Sequence, residues 1–197
     1  MAEGLVARYD ELHRHYHTPE HLAYVLDRID EYAGRDHDLF LVRLAAWFHD
    51  SVYAIPEGQV SNEEASGRLA FRELGRAGLE QEDLNEVARL VRVTANHQPA
   101  PGDKNGALLC DADLAILGAD PTTYQTYAAA VREEYAKVDD VTFWSTRLDI
   151  LGALVETDIY RTSRGRKRTR QAQANLIEEC ESLQANLEAL NPTDGGV

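Results

Sequence analysis

Apolar residues recur at helical spacing along almost the entire chain, and this periodicity limits the fold classes open to it. Leu22, Val25 and Ile29, for example, share one face of a helix that begins at Thr18-Pro19. A capping residue followed by proline at the first helical position is typical of a helix start. No sustained stretch alternates apolar and polar residues between turn signals, as a half-buried strand would. The sequence therefore predicts an all-α fold.

Capping residues, glycines and prolines mark the helix ends. Ser61 and Glu64 have the spacing of a capping box, and Asp120-Pro121 repeats the pattern of Thr18-Pro19. The expected helices run from Thr18 to Gly34, about Asp38 to Asp50, Ser61 to Gly75 or Gly78, Leu84 beyond Ala95 toward Pro99, Leu108 to Leu117, Asp120 to Tyr135, Thr142 to Ile159, and Leu176 to Leu190.

A chain of 197 residues fits one domain with a sizeable core, which we assign to residues 1–190, with 191–197 as a flexible tail. The last helix carries apolar residues at alternating spacings of four and three, a seam that could dock on the core or join two copies into a homo-oligomer. Cys110 and Cys180 lie in apolar helical patterns, so we expect buried thiols without a disulfide.

The net charge of −14 excludes several partners, since it would repel both a nucleic-acid backbone and an anionic lipid surface. No apolar run is long enough to span a bilayer, and the N-terminus lacks a basic segment followed by an apolar one. We expect a cytoplasmic protein that binds neither membranes nor nonspecific nucleic acid. Residues 161–170 are the exception, with six basic residues and no acid. This segment is either a solvated loop or a patch that attracts a polyphosphate or an acidic partner.

Histidines and aspartates concentrate at three places in the sequence. Four of the seven histidines fall within residues 13–21, and His21 shares the register of the buried helix face, where an imidazole needs a hydrogen bond or a metal. His49-Asp50 ends an apolar helix, where both side chains can reach one ion, although a histidine at a helix C-terminus also complements the helix dipole.

The third of these concentrations is the pair Asp111 and Asp113, which lies inside an apolar segment. A nearby cation would keep both carboxylates charged, whereas the alternative is one helix cap and one solvated acid.

The order His, His-Asp, Asp on separate helices resembles the metal-binding signature of the HD superfamily of phosphohydrolases. In particular, the chain resembles a subfamily of bacterial predicted metal-dependent HD phosphohydrolases, and the resemblance runs from about Tyr9 to Leu190. The blocks that carry it are Arg14-His15-Tyr16-His17 with His21, Phe48-His49-Asp50-Ser51-Val52-Tyr53, Asn62-Glu63-Glu64, Thr94-Ala95-Asn96-His97, residues 111–118, Arg147 and Ile159-Tyr160-Arg161-Thr162.

This resemblance implies an HD-domain helical bundle with additional C-terminal helices. It also implies that His21, His49, Asp50 and Asp113 hold one divalent transition metal, with Asp111 as the alternative to Asp113. Two histidines and two carboxylates suit Mn, Fe, Co, Ni or Zn about equally.

The resemblance further implies a phosphate-binding set and a catalytic set. Candidates for holding the phosphate are Arg14, His17, Lys104 and Arg147. The catalytic set comprises Asp50, Glu63, Glu64 and His97. Some related HD nucleotidases have a glutamate where this chain has Tyr53, so Glu63 or Glu64 is the candidate general acid. His97 is expected on the face of the helix that carries Leu90 and Val93, as a substrate contact or as a donor to a metal ligand.

The expected function is metal-dependent hydrolysis of a phosphate ester or anhydride of a small molecule, most simply a nucleotide, through a metal-activated water. One alternative is a protein that keeps the fold and the metal for binding or signalling without turnover. The other is a di-iron HD-type oxygenase, which needs more ligands than the chain offers.

Overall fold

The computed structural model describes residues 2–190, and over this range the chain forms nine α-helices, two short 3-10 segments and no β-strand. The all-α prediction is confirmed. The predicted tail, residues 191–197, lies outside the described residues. The helices are α1 (Ala2–Tyr9), α2 (Pro19–Tyr32), α3 (Leu39–Phe48), α4 (Asn62–Arg76), α5 (Gln81–Val93), α6 (Lys104–Asp113), α7 (Pro121–Glu134), α8 (Asp140–Val155) and α9 (Thr169–Leu190), and the 3-10 segments are Leu114–Gly118 and Gly165–Arg168.

Most helix starts follow from their capping residues. The side chain of Ser61 accepts a hydrogen bond from the Glu64 backbone N–H, and aspartate caps open several other helices. Helix α1 has no counterpart among the expected helices, α6 runs from Lys104 to Asp113 instead of from Leu108 to Leu117, and α9 begins at Thr169 instead of Leu176. The predicted ends of two further helices were also wrong. Helix α5 ends at Val93, where Thr94 donates its hydroxyl to the Val91 carbonyl, and α8 ends at Val155. A side-chain hydroxyl competing for the last carbonyls accounts for the early end of α5.

Helices α1 to α6 share the first hydrophobic core. Helix α3 lies at its centre and contacts α2, α4, α5 and α6, which explains why this helix is the most apolar in the sequence. A helix that is apolar over most of its circumference needs partners on several sides. Its last turn is therefore held rigidly, and this turn leads into His49 and Asp50.

A second core joins the 3-10 segment Leu114–Gly118 to α7, α8 and α9. Asn175 of α9 is buried and donates its amide to the carbonyls of Leu117 and Ala119, which ties α9 to the segment that follows α6. Leu176 and Leu183 of the predicted seam are buried in this core, whereas Leu190 is exposed. The seam is thus largely used within the chain, and a homo-oligomer through α9 stays a prediction.

The N-terminal turn of α2, the C-terminal end of α3 and the C-terminal end of α6 meet at one place in the fold, because α6 contacts both α2 and α3. The cysteines at 110 and 180 are free, the first buried and the second half-buried. Among the helices described here, none is both long enough and apolar enough to cross a membrane.

Candidate metal centre

Four side chains from three separate helices converge where α2, α3 and α6 meet. The Nε2 atoms of His21 and His49 lie 3.2 Å apart, and Asp50 Oδ2 lies 3.4 Å from the first and 2.9 Å from the second. Asp113 Oδ1 lies 3.4 Å from His21 Nε2 and 3.6 Å from His49 Nε2. Both histidines are buried, and both carboxylates are largely so.

The two imidazole rings are fixed in different ways. His49 follows the last residue of α3, and its Nδ1–H donates to the Ala46 carbonyl at 2.8 Å, which leaves a lone pair on Nε2. His21 lies in the first turn of α2, and its Nδ1 is buried without a hydrogen-bond partner among the described residues. The Tyr16 ring instead packs against the His21 ring, with centroids 4.7 Å apart.

Burial and charge act in opposite directions on these four groups. Burial is the largest single influence on the pKa of His49 and would lower it, but the surrounding negative groups, with Asp50 first and Asp113 among them, together raise that pKa well above its usual range. Burial is also the largest influence on the pKa of Asp50 and would raise it, but the charge of His49 together with the other histidines around it holds that pKa well below its usual range. The pKa of Asp113 is also held well below its usual range, with the charge of His49 again the first lowering influence. Two ionised carboxylates in a buried cluster call for positive charge, either as protons on the imidazoles or as a cation.

The residues present fit a divalent cation. The ligand atoms of His21, His49 and Asp50 all lie within 4.8 Å of one another. Metal–ligand bonds of about 2.1 Å place neighbouring ligand atoms about 3.0–3.4 Å apart, close to the separations among these three residues and to the distances of 3.4 and 3.6 Å from the two histidines to Asp113 Oδ1. Two neutral imidazoles and two carboxylates carry two negative charges, which match such an ion.

Asp111, the alternative to Asp113, is directed away from this cluster. Its carboxylate is buried and accepts hydrogen bonds from the backbone N–H of Arg161, at 2.8 Å, and of Thr162, at 2.7 Å. Asp111 therefore anchors the loop after α8, and Asp113 is the carboxylate that faces the two histidines.

His97 reaches the cluster from a loop, so its expected position on a helix face was wrong. Helix α5 has ended four residues earlier, and His97 has a positive φ of 52°, a left-handed conformation that is uncommon outside glycine. Its Nε2–H donates to Asp113 Oδ2 at 2.9 Å. His97 thus orients a candidate ligand, which is one of the two roles considered from the sequence.

Glu134, at the end of α7, organises the histidine-rich segment and was missed from the sequence. Its buried Oε1 accepts the backbone N–H groups of His15, Tyr16 and His17, each at 2.9 Å. Its Oε2 accepts from His17 Nδ1 at 2.7 Å and from the Tyr53 hydroxyl at 2.9 Å. Glu134 lies more than a hundred residues from His15, Tyr16 and His17 and 81 residues from Tyr53, and its pattern in the sequence is that of any glutamate in the last turn of a helix.

Arg14 is buried next to the candidate metal centre and does not face an open cavity. Its guanidinium is buried between the rings of Tyr9 and Tyr53 and donates to the backbone carbonyls of His17, at 3.2 Å, and Asp50, at 2.8 Å. These contacts hold two site segments together. The structure therefore does not bring Arg14 to a place where it would clamp a phosphate.

Glu63 and Glu64 of α4, the two candidates for the general acid, differ in their contacts. Glu64 forms ion pairs with Arg68, at 2.6 Å, and Arg92, at 2.5 Å, and the hydrogen bond from Arg92 lowers the pKa of Glu64 to about 2. Such a carboxylate stays ionised and is unsuited to donate a proton at neutral pH. Glu63 lines the cavity described next.

A cavity of about 670 Å³ opens onto the cluster. Its lining includes His17, Asp50, His97 and Asp113 together with apolar residues of the Leu114–Gly118 segment, α7 and α8. Arg147 also lines it, with its guanidinium 2.6 Å from Glu179 and over the Tyr127 ring. Lys104 lies elsewhere, 2.6 Å from Asp36.

Comparison with protein-family models, with curated proteins and with solved structures finds no match to this chain. Its functional interpretation therefore depends on its own residues and their arrangement.

Proposed function

We propose that this protein is a metal-dependent phosphohydrolase of the HD type that acts on a small phosphorylated molecule. The observation that carries the proposal is the convergence of His21, His49, Asp50 and Asp113. Their order along the chain is the one that resembles HD phosphohydrolases, and their ligand atoms lie 2.9–3.6 Å apart in most pairs.

When bound, a divalent metal lowers the pKa of a coordinated water to about 7 and polarises a phosphoryl oxygen. His21, His49, Asp50 and Asp113 would hold the metal. His97 keeps the Asp113 carboxylate in place through the bond from its Nε2. His17 lines the cavity, and because Glu134 takes its Nδ1, its Nε2 is the nitrogen left to contact a phosphate or a leaving group.

The charges around the cavity favour a substrate with a single phosphate. Among the described residues that line it, Arg147 is the only lysine or arginine, and Glu179 already pairs with it. Glu57 and Glu63 line the same cavity and would repel a triphosphate chain. The apolar residues in the lining fit an aromatic or aliphatic body, so a nucleoside monophosphate is the simplest substrate.

The test is a screen of the purified protein with Mn, Co, Ni or Zn against nucleoside mono- and triphosphates, with release of inorganic phosphate as the readout. We expect release from monophosphates with at least one metal, and none from the Asp50→Ala variant. Elemental analysis of the same samples reports the bound metal. No phosphate release from any pair, with the metal bound, would contradict hydrolysis and favour binding without turnover. Two irons per chain would favour the oxygenase alternative.

A further inference from the structure

A second cavity of about 380 Å³ lies near the other end of α6. The basic side chains of His37, Lys104, Arg161 and Arg164 line it together with Thr162 and Ser163. None of these residues lines the cavity of the candidate metal centre. Lys104 begins α6 and Asp113 ends it, so about 13 Å of helix separates the two places.

The loop that carries two of these cations is held in one conformation. Asp111 accepts the backbone N–H groups of Arg161 and Thr162, and the Thr162 hydroxyl oxygen accepts the Gly165 N–H at 2.9 Å. A Cβ on Gly165 would lie 2.4 Å from Asp111 Oδ2, so the loop is packed directly onto the buried carboxylate. A ligand would therefore meet a loop backbone that is already ordered, which lowers the entropic cost of binding.

The two arginines of this loop contact neutral acceptors. Arg164 donates to the backbone carbonyl of Glu31, and Arg161 donates to the carbonyl of Asp158 and to the side-chain oxygen of Gln98, each at 3.4 Å. Of the lining cations, Lys104 forms an ion pair, with the exposed Asp36. Within residues 2–190, neither Arg161 nor Arg164 is paired with a carboxylate, although acids outnumber bases 34 to 20 in the sequence.

We propose that this second cavity is an anion site that binds the phosphate of a small phosphorylated molecule, separately from the metal centre. Guanidinium groups bind phosphate oxygens through paired, charge-assisted hydrogen bonds, and Thr162 and Ser163 add polar groups at the same wall. The volume suits a small molecule. The net charge of −14 would repel a nucleic-acid chain running beyond the cavity.

The test uses metal-free protein in the presence of a chelator, so that the metal centre contributes no cation. Inorganic pyrophosphate is titrated into the full chain by calorimetry, and we expect saturable binding to one site. The Arg161→Gln/Arg164→Gln double variant should bind at least about tenfold more weakly, since each substitution removes a charge-assisted contact.

Lys167→Gln is the matched control, because it removes one positive charge from the same basic segment at an exposed residue that lines neither cavity. This control and Asp113→Asn should bind pyrophosphate as the wild type does. If the double variant does not fold, as judged by circular dichroism, the exposed Lys104→Gln variant replaces it and should also bind more weakly.

Four results would overturn the proposal: no saturable binding by the wild type, an equal loss in Lys167→Gln, loss of binding in Asp113→Asn, or unchanged binding by the folded Arg161→Gln/Arg164→Gln variant. The first two would leave only nonspecific attraction to the basic segment, and the third would assign the anion to the metal centre. None of these results depends on whether the protein hydrolyses phosphate, because no metal or turnover is involved.

Discussion

Asp111 and Asp113 are two residues apart in α6, yet their carboxylates serve different parts of the molecule. Asp113 Oδ1 faces His21 and His49, and its Oδ2 accepts from His97. Asp111 accepts backbone N–H groups of the loop after α8. Residues two apart on a helix point about 200° apart, so the two side chains necessarily face different neighbours.

Because the two carboxylates have different partners, the same Asp→Asn substitution should have opposite effects on metal binding at the two positions. Asp113→Asn should weaken binding of the divalent metal more than about 100-fold, because it removes a charged candidate ligand. Asp111→Asn should retain the metal and lower the free energy of unfolding by about 1.5–3 kcal/mol, because an amide replaces part of a charged acceptor of buried N–H groups. Metal content by elemental analysis and urea denaturation check both variants. Metal loss from Asp111→Asn alone would exchange the two roles.

Glu134 holds the conformation of residues 15–17 through four hydrogen bonds to its carboxylate, which also accepts a fifth from the Tyr53 hydroxyl. Burial is the largest single influence and would raise its pKa, but the hydrogen bond and charge of His17 and the backbone N–H donors of residues 16 and 17 together lower the pKa from 4.5 to about 2. A carboxyl group with a depressed pKa in the folded state stabilises the protein when it is ionised.

The stability that ionised Glu134 provides should be complete above about pH 4.5 and should disappear as the pH falls to about 2. Its size is up to about 3 kcal/mol, since each pKa unit corresponds to about 1.4 kcal/mol. Glu134→Gln should therefore be less stable than the wild type at pH 7, and the difference should shrink below pH 4.5. Urea denaturation of metal-free protein between pH 7 and pH 3 measures it. Glu133→Gln, at the exposed neighbouring residue, is the control and should follow the wild type.

At the scale of elements, the loop that connects α8 to α9 depends on a glycine. Gly165 is buried, and a Cβ added there would lie 2.4 Å from Asp111 Oδ2 and 3.0 Å from Thr162 Oγ1. Gly152, within α8, has nothing within 4 Å of the same added atom. The two glycines thus offer a direct comparison between a packing requirement and ordinary helix propensity.

We expect Gly165→Ala to lower the free energy of unfolding by about 1–3 kcal/mol, because the added methyl group separates the loop from its anchor. Gly152→Ala should raise it by up to about 1 kcal/mol, because alanine favours a helix interior over glycine. Thermal and urea denaturation of both variants test the pair. Equal stability of the two variants would mean that Asp111 does not hold the loop closely.

At the scale of the whole molecule, the candidate metal ligands come from α2, the end of α3 and α6, which lie far apart in the sequence. They are brought together only when the first core is formed. A metal that binds the folded chain and not the unfolded one stabilises the fold by mass action.

Adding a divalent metal at about 100 times its Kd should stabilise the protein by about 2.7 kcal/mol. For a chain of this length, that corresponds to a rise in Tm of about 5–10 °C. Scanning calorimetry with the metal and with a chelator measures the shift, and the Asp113→Asn variant should show almost none. The same rise in that variant would place the metal elsewhere in the protein.

The sequence by itself determined the all-α fold, most helix starts and the residues that form the cluster at α2, α3 and α6. Helical periodicity and capping depend on residues within about four positions of each other, so they can be recognised along the chain. His21 and His49-Asp50 stand out as polar residues in apolar helical patterns, but it was the resemblance to HD phosphohydrolases that joined them into one expected ligand set.

Only the tertiary structure decided which acid faces the histidines, how His97 approaches Asp113, and that Glu134 holds residues 15–17. The same applies to Arg14, which is buried under the site, and to Lys104, which lies at the second cavity. These outcomes depend on contacts between residues tens to more than a hundred positions apart. The direction of a side chain toward such a partner is set by how whole helices pack, which local sequence patterns do not encode.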